Sequence, residues 1–271
     1  MAKILLLLLS LLGAACTNAP QADDSKVILA SFRQDNALDF DTYAFERRSA
    51  NCQLPEGPCA RVVAEYPVAD RGPRKQVDFV NDSISQYVRL TLSVFATKRQ
   101  AILPDLDSLA GEFIEGYERF REMNPENPPV PWVLETKSRI LYQNRRVLSI
   151  EFNNFSFTGG AHPNSFQILL LLDVRDRKML TLSDIVTDME RFEEVVKEAF
   201  RAHYQLEEAA SFNEAGFFWD EPFSLPENVA LTPEGLKLVY NPYEIAPYVV
   251  GATRLHIPYA ELEDLLKEEY R

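Results

Sequence analysis

The sequence is short of the residues that most often carry chemistry. Its 271 residues include three histidines, three cysteines and two tryptophans. His162, His203 and His256 are too widely scattered for a recognisable zinc spacing, and neither His-Glu-x-x-His nor Gly-x-Ser-x-Gly occurs. Standard hydrolytic chemistry is therefore disfavoured, and no cofactor or metal is expected. Positive charge is scarce too, with 28 Lys and Arg against 41 Asp and Glu, a net charge of −13. A field of that sign repels polyanions, so nucleic acid and anionic lipid surfaces are poor partners, while a cationic partner is steered in. The chain also lacks an apolar run of the length, about 20 residues, that a membrane-spanning helix needs.

What the N-terminus does have is Lys3, an apolar run over 4–9, Ser10, two more leucines and the small residues Gly13-Ala14-Ala15, followed at once by Cys16. This is the pattern of a cleavable secretion signal. A cysteine directly after the small-residue exit resembles the lipobox of bacterial lipoproteins, in which the thiol is diacylated and the Cys becomes the new N-terminus. Residues 1–15 are the expected signal peptide and 16–26 a lipidated tether, polar and without apolar periodicity. The expected address is the bacterial cell envelope, with the membrane reached through the lipid anchor alone. Thr17, where an Asp resembles an inner-membrane retention signal, permits export to the periplasmic face of the outer membrane in a double-membraned cell. The alternative is an ordinary secreted chain with an unmodified Cys16. In such a chain Cys52 and Cys59 remain as an even pair around the turn-rich 53–58, and a disulfide across that loop is expected.

The rest of the sequence predicts an α+β fold, with mixed or antiparallel sheets, amphipathic helices and two closely packed small domains, 27–157 and 158–271. Strands are expected over 27–32, 38–47 and 60–68. Val77, Val80, Ile84, Tyr87, Thr91 and Phe95 recur at helical spacing, and a second helix begins near Asp105 as cap. Trp132, Leu134, Thr136, Ser138, Ile140 and Tyr142 alternate strictly and return through Leu148, Ile150 and Phe152 as a hairpin. Residues 168–172 are apolar on both faces, as in a central strand. Thr187 with Glu190 has capping-box spacing, opening a helix with Phe192, Val195, Ala199 and a semi-buried His203 on one face. Core packing is expected for the aromatic stretch 212–223, with stacking on sugars as the alternative reading. A hairpin turns at Thr232-Pro233-Glu234-Gly235, and a terminal helix starts at Pro258.

The stretch Thr158-Gly159-Gly160-Ala161-His162-Pro163-Asn164, between two strand-like runs, reads as a possible site. Paired glycines permit positive φ and close approach, and Pro163 stiffens the chain beside the imidazole. The alternative is a plain hairpin connection whose histidine caps a local hydrogen bond. A second stiff loop is Asn241-Pro242-Tyr243-Glu244-Ile245-Ala246-Pro247-Tyr248.

Two phrases resemble a bacterial envelope family. They are Ser149-Ile150-Glu151-Phe152 leading to Gly159-Gly160-Ala161-His162-Pro163-Asn164, and Leu231-Thr232-Pro233-Glu234-Gly235-Leu236 leading to the second stiff loop. The sequence is similar to the extracytoplasmic domain of RsiV-like anti-sigma factors, which sense lysozyme, and to the accessory domain beside the catalytic module of PdaC-type peptidoglycan deacetylases. The resemblance implies an α+β fold with the Gly-Gly-Ala-His loop near the junction of two small domains. It carries neither the sigma-factor role, which needs a cytosolic domain, nor deacetylation, which needs a separate catalytic module. The expected function is a non-catalytic envelope module that binds a peptidoglycan fragment or a basic protein such as lysozyme. Gly159, Gly160, His162, Asn164, Tyr243, Glu244 and Tyr248 are its candidate ligand-binding residues. The alternative is a cell-wall hydrolase using His162 and Glu244, with Glu244 as base.

The anchor expectation has a direct measurement. Cys16→Ser is expected to move the protein out of the membrane fraction; unmutated protein that is free in the medium, cut after residue 15 and lipid-free, rules the anchor out.

Overall fold

The computed structural model describes residues 38–271 apart from 51, 53–58, 96–101 and 128–129. The expected signal peptide, Cys16, the tether and the strand over 27–32 lie outside the described residues. Among the described residues no helix is long and apolar enough to cross a membrane.

Strands β1 (Asp39–Arg48) and β2 (Ala60–Arg71) pair antiparallel, and the Cys52–Cys59 disulfide ties the connection between them, with the two Cα atoms 4.7 Å apart. The chain then forms α1 (Arg74–Ser93), α2 (Leu106–Met123), β3 (Trp132–Gln143), β4 (Val147–Phe157), β5 (Asn164–Asp173) and β6 (Lys178–Met179). These strands make a six-stranded sheet in sequence order. Only the β2–β3 pair is parallel, because α1 and α2 carry the chain back across the sheet between them. The helices bury Val80, Ile84, Val88, Leu92, Leu109 and Phe113 on Leu134, Ile150, Phe152 and Leu170, one alternate face of the strands. Asp105 caps α2 as expected, accepting from the Ser108 N–H at 2.8 Å.

Next come α3 (Leu182–Ile185), α4 (Met189–Tyr204), β7 (Val229–Leu231), β8 (Gly235–Tyr240), β9 (Thr253–Pro258) and α5 (Tyr259–Leu262). The antiparallel β7-β8-β9 sheet covers the opposite face of the large sheet, where Leu169 of β5 meets Ala230 and Val239, and α4 packs on β9. Gly235 is required where β8 begins, since a Cβ there would collide with the Ile257 carbonyl oxygen on β9. Both sheets together confirm the α+β class. The hairpin β4–β5 runs across position 157/158, so strands on both sides of the expected division lie in one sheet.

Three local expectations change. Asp188, not Thr187, caps α4, accepting from the Arg191 N–H at 3.0 Å; the Thr187 hydroxyl instead donates to the carbonyls of Asp264 and Leu265. The buried stripe of α4 is Phe192, Val196 and Phe200, which leaves His203 exposed. Phe200 decides that rotation, because Phe212, Phe217, Phe218, Phe223 and Tyr240 surround its ring at centroid distances of 5.0–6.1 Å. The terminal helix breaks into α5 and a separate 3-10 turn at Glu268–Tyr270, with Lys267 N–H donating to the Ile185 carbonyl between them.

Two asparagines join the sheets. Strand β6 pairs with only the last residues of β5, which leaves the outer edge of β5 at Gln167 and Leu169 without a strand partner among the described residues. The Asn228 amide accepts from Leu169 N–H at 2.6 Å and donates to the Gln167 carbonyl at 2.8 Å. The Asn241 amide accepts from Gln167 N–H at 2.7 Å and donates to the same carbonyl at 2.9 Å. A side-chain amide has the donor and acceptor of a peptide group, so these residues stand in for the missing strand.

Asn228→Ala leaves the Leu169 N–H without its acceptor and is expected to cost about 2 kcal/mol, the range for an unsatisfied buried donor. Denaturant unfolding checks the cost and amide exchange at Leu169 checks the place; a variant with unchanged stability and unchanged exchange contradicts the role.

Candidate functional site

The β4–β5 loop supplies one half of the site. Gly159 and Gly160 have φ of +88° and +109°, a region that side chains disfavour, and this turn sets His162 in solvent at the end of the hairpin. The loop after β8 supplies the other half. It is fixed from beneath by Asn241 on β5, and it is closed on itself by Glu244, whose carboxylate accepts from the Asn241 N–H at 2.7 Å. Tyr243 lies between them at a left-handed φ of +69° and is exposed.

The two loops meet. The rings of His162 and Tyr248 stack at 3.8 Å and 17°, and Tyr243 lies 5.6 Å from Tyr248. The Tyr248 hydroxyl donates to the Pro163 carbonyl at 2.8 Å, which also lies 2.9 Å from His162 Nδ1. A carbonyl only accepts, so that nitrogen carries a proton, and Nε2 faces the Tyr243 hydroxyl at 3.4 Å. Of the other candidates, Gly159 and Gly160 shape the turn, and Asn164 opens β5 opposite Ser156 as an exposed residue.

Glu244 does not serve the imidazole. Its carboxyl turns into its own loop, where burial raises its pKa against the lowering hydrogen bond from Asn241, with the Glu227 carboxylate adding to the rise. The histidine's hydrogen bonds run to a carbonyl and a phenol, and Glu244, the expected base, is not among these partners. Among the described residues no group of three His, Cys, Asp or Glu is placed to hold a metal ion.

Beside this cluster opens a cleft of about 490 Å³, with Tyr248 in its wall and Lys137, Asn153, Phe155, Gln167 and Arg254 around it. Its floor is the outward face of β3, β4 and β5, and it rests on a buried carboxylate. Glu151 is 2% exposed and sits under β8. Lys237 donates to one of its oxygens, and Arg139 and Asn153 donate to the other, both at 3.1 Å. Burial raises the Glu151 pKa, but the hydrogen bonds from Lys237 and Asn153 and the charge of Lys237 outweigh it, and the net shift is downward. Sequence reading missed this layer. Its signal was present: Glu151 and Asn153 alternate with Ile150, Phe152 and Asn154, which marks a polar face on a strand whose other face is core.

Comparison with known proteins finds a match for each of the two segments that carry these loops. Residues 56–165 match the family model described as "Deacetylase PdaC", and residues 183–260 match the one described as "Protein of unknown function (DUF3298)". The chain thus has a segment similar to the PdaC model followed by one similar to the DUF3298 model. A DUF3298 family crystal structure from Bacteroides fragilis NCTC 9343 is similar to it, with a TM-score of 0.68 at 18% identity over 86% of this chain and 95% of that one. Another, from Pseudomonas aeruginosa PAO1, has a TM-score of 0.64 at 24% identity over 86% of this chain and 96% of that one. At such identities the likeness speaks for the fold alone. No curated protein matches the sequence. The PdaC-type match ends just past His162, and the DUF3298 match spans Tyr243 and Tyr248, so each segment contributes one loop to the aromatic cluster.

The buried carboxylate makes a pH-dependent prediction. A folded-state pKa below the unfolded value stabilises the fold above the ordinary carboxylate range, about 4.3, and the contribution is lost as pH falls through the depressed value. Glu151→Gln should therefore be less stable than the parent at pH 7, by about 3 kcal/mol for a broken buried pair, with the gap narrowing below pH 4. A gap that stays constant from pH 7 to pH 3 shows that the ionised form of Glu151 is not what matters.

Proposed function

We propose that this protein is a non-catalytic binding module of the bacterial cell envelope, anchored through Cys16, and that it recognises a cell-wall glycan. The observation that carries the reading is the His162–Tyr248 stack, joined by Tyr243, at the mouth of a cleft lined with amide and charged side chains. Sugar rings have an apolar face that packs on aromatic rings and a polar rim that amides and charged groups satisfy. The rings are positioned before any ligand arrives, which lowers the entropic cost of binding.

The hydrolase reading through His162 and Glu244 has no geometry in its favour, since the Glu244 carboxylate is engaged by Asn241. A basic protein such as lysozyme remains the second reading on the strength of the net charge of −13.

The test is a pull-down of the full chain against muropeptides and against lysozyme, followed by titration of whichever is retained. His162→Ala and Tyr243→Ala are each expected to weaken muropeptide binding about tenfold, about 1.4 kcal/mol, with little change in the unfolding midpoint. Retention of lysozyme alone, weakening with salt, selects the second reading. Turnover of wall fragments that both substitutions abolish replaces either reading with the enzyme.

A further inference from the structure

Arg254, on β9, is exposed to the cleft but is not loose. Its Nε donates to Gln167 Oε1 at 2.6 Å, and its Nη1 reaches the Ala252 carbonyl at 3.4 Å. Gln167 is buried, and its own Nε2 donates to Asn153 Oδ1 at 2.6 Å. Asn153 Nδ2 in turn donates to Glu151.

The direction of this relay is set at its buried end. An ionised carboxylate only accepts, so Asn153 must turn its NH2 towards Glu151 and its oxygen towards Gln167. Gln167 must then turn its NH2 to Asn153, which leaves its oxygen facing the guanidinium. Each amide has one orientation available, and Arg254 is held at Nε as a result.

The charges along the relay do not cancel at its outer end. Glu151 is already matched by Lys237 and Arg139, and on the cleft wall Lys137 is matched by Glu135 at 3.1 Å. Among the described residues Arg254 makes no salt bridge, so an oriented and uncompensated cation stands in the cleft of an acidic protein. With Nε committed to Gln167 and one Nη1 hydrogen on the Ala252 carbonyl, Nη2 and the second Nη1 hydrogen are what remain for a ligand. That fork matches the two oxygens of one carboxylate, whereas a phosphate monoester brings more negative charge than a single guanidinium offsets.

We infer that Arg254 receives a carboxylate of the bound ligand, and that the cleft selects an acidic saccharide over its neutral analogue. The inference rests on the glycan reading given above and adds the substituent that is read. Phe155 and Tyr248 flank the position as ring surfaces for the sugar, while Arg254 fixes which sugar is accepted.

The test compares two disaccharides on the full chain by titration calorimetry: N-acetylglucosaminyl-N-acetylmuramic acid, with a free lactyl carboxylate, and the neutral N,N′-diacetylchitobiose. The acidic one is expected to bind about tenfold more tightly, as a charge-assisted bidentate pair implies. Arg254→Gln should abolish that preference, and an unfolding midpoint close to the parent's reports that the variant is folded. Arg254→Lys, which keeps charge but not the fork, should restore only part of it. Equal affinities in the parent protein, or a preference that survives Arg254→Gln, overturns the carboxylate role while the glycan reading stands. An Arg254-dependent preference for N-acetylglucosamine 6-phosphate over the acidic disaccharide overturns it in favour of phosphate. Binding of none of these sugars removes both readings.

Discussion

A strand edge closed by side chains is the constraint on which the rest of this structure depends. Between Gln167 and Leu169 the outer edge of β5 has donors and acceptors that no neighbouring strand among the described residues takes up, and burial makes leaving them open costly. Asn228 and Asn241 answer with two amide groups, one before β7 and one after β8. Because an amide fits a peptide edge in only one register, the small sheet cannot slide along the large one. The loop after β8 is pinned at its first residue by the same bonds. The aromatic cluster is therefore placed by hydrogen bonds at the sheet junction and not by the rings themselves.

Beneath the cleft a second constraint works through charge. Glu151 is a carboxylate in an almost dry position, a circumstance that favours neutralisation unless cations and N–H groups are close. Lys237 comes from β8, so its ion pair bridges the sheets as the asparagines do, while Arg139 joins from β3, the neighbouring strand of the same sheet. Pairs of this kind contribute little net stability against a hydrophobic equivalent. Their effect is directional: they decide which way each amide of the floor points.

Much of the fold was legible because it obeys simple periods. The stripe Val80, Ile84, Thr91 and the alternation through Trp132, Leu134 and Thr136 each have a single face to bury, and each appears in the structure as an element of the expected kind. The reading failed where tertiary contacts outvote local pattern. Thr187 has good capping chemistry, but the carbonyls of Asp264 and Leu265 claim its hydroxyl. Val195, Ala199 and His203 make a plausible helix face, but the ring-packed Phe200 turns the helix by one residue. At the site, the glycines and prolines announced two stiff loops, and the rings they carry do meet. The relay from Glu151 to Arg254 joins residues on different strands, and its pairing follows from register, which composition does not encode.

Phe218, Trp219 and Asp220 have φ of +62°, +50° and +68°, three successive left-handed residues with no glycine among them. Each such residue is disfavoured by about 1 kcal/mol or more, and glycine would adopt the same shape freely. The reversed screw sends adjacent aromatic rings in opposite directions: Phe218 into the core around Phe200, and Trp219 outward, 51% exposed, with its indole N–H on the Glu244 carbonyl at 3.3 Å. A flexible turn would let the indole fold down onto the nearby apolar surface. Left-handed backbone, anchored by the buried ring, keeps a large flat side chain standing in water at a fixed angle beside the loop that bears Tyr243.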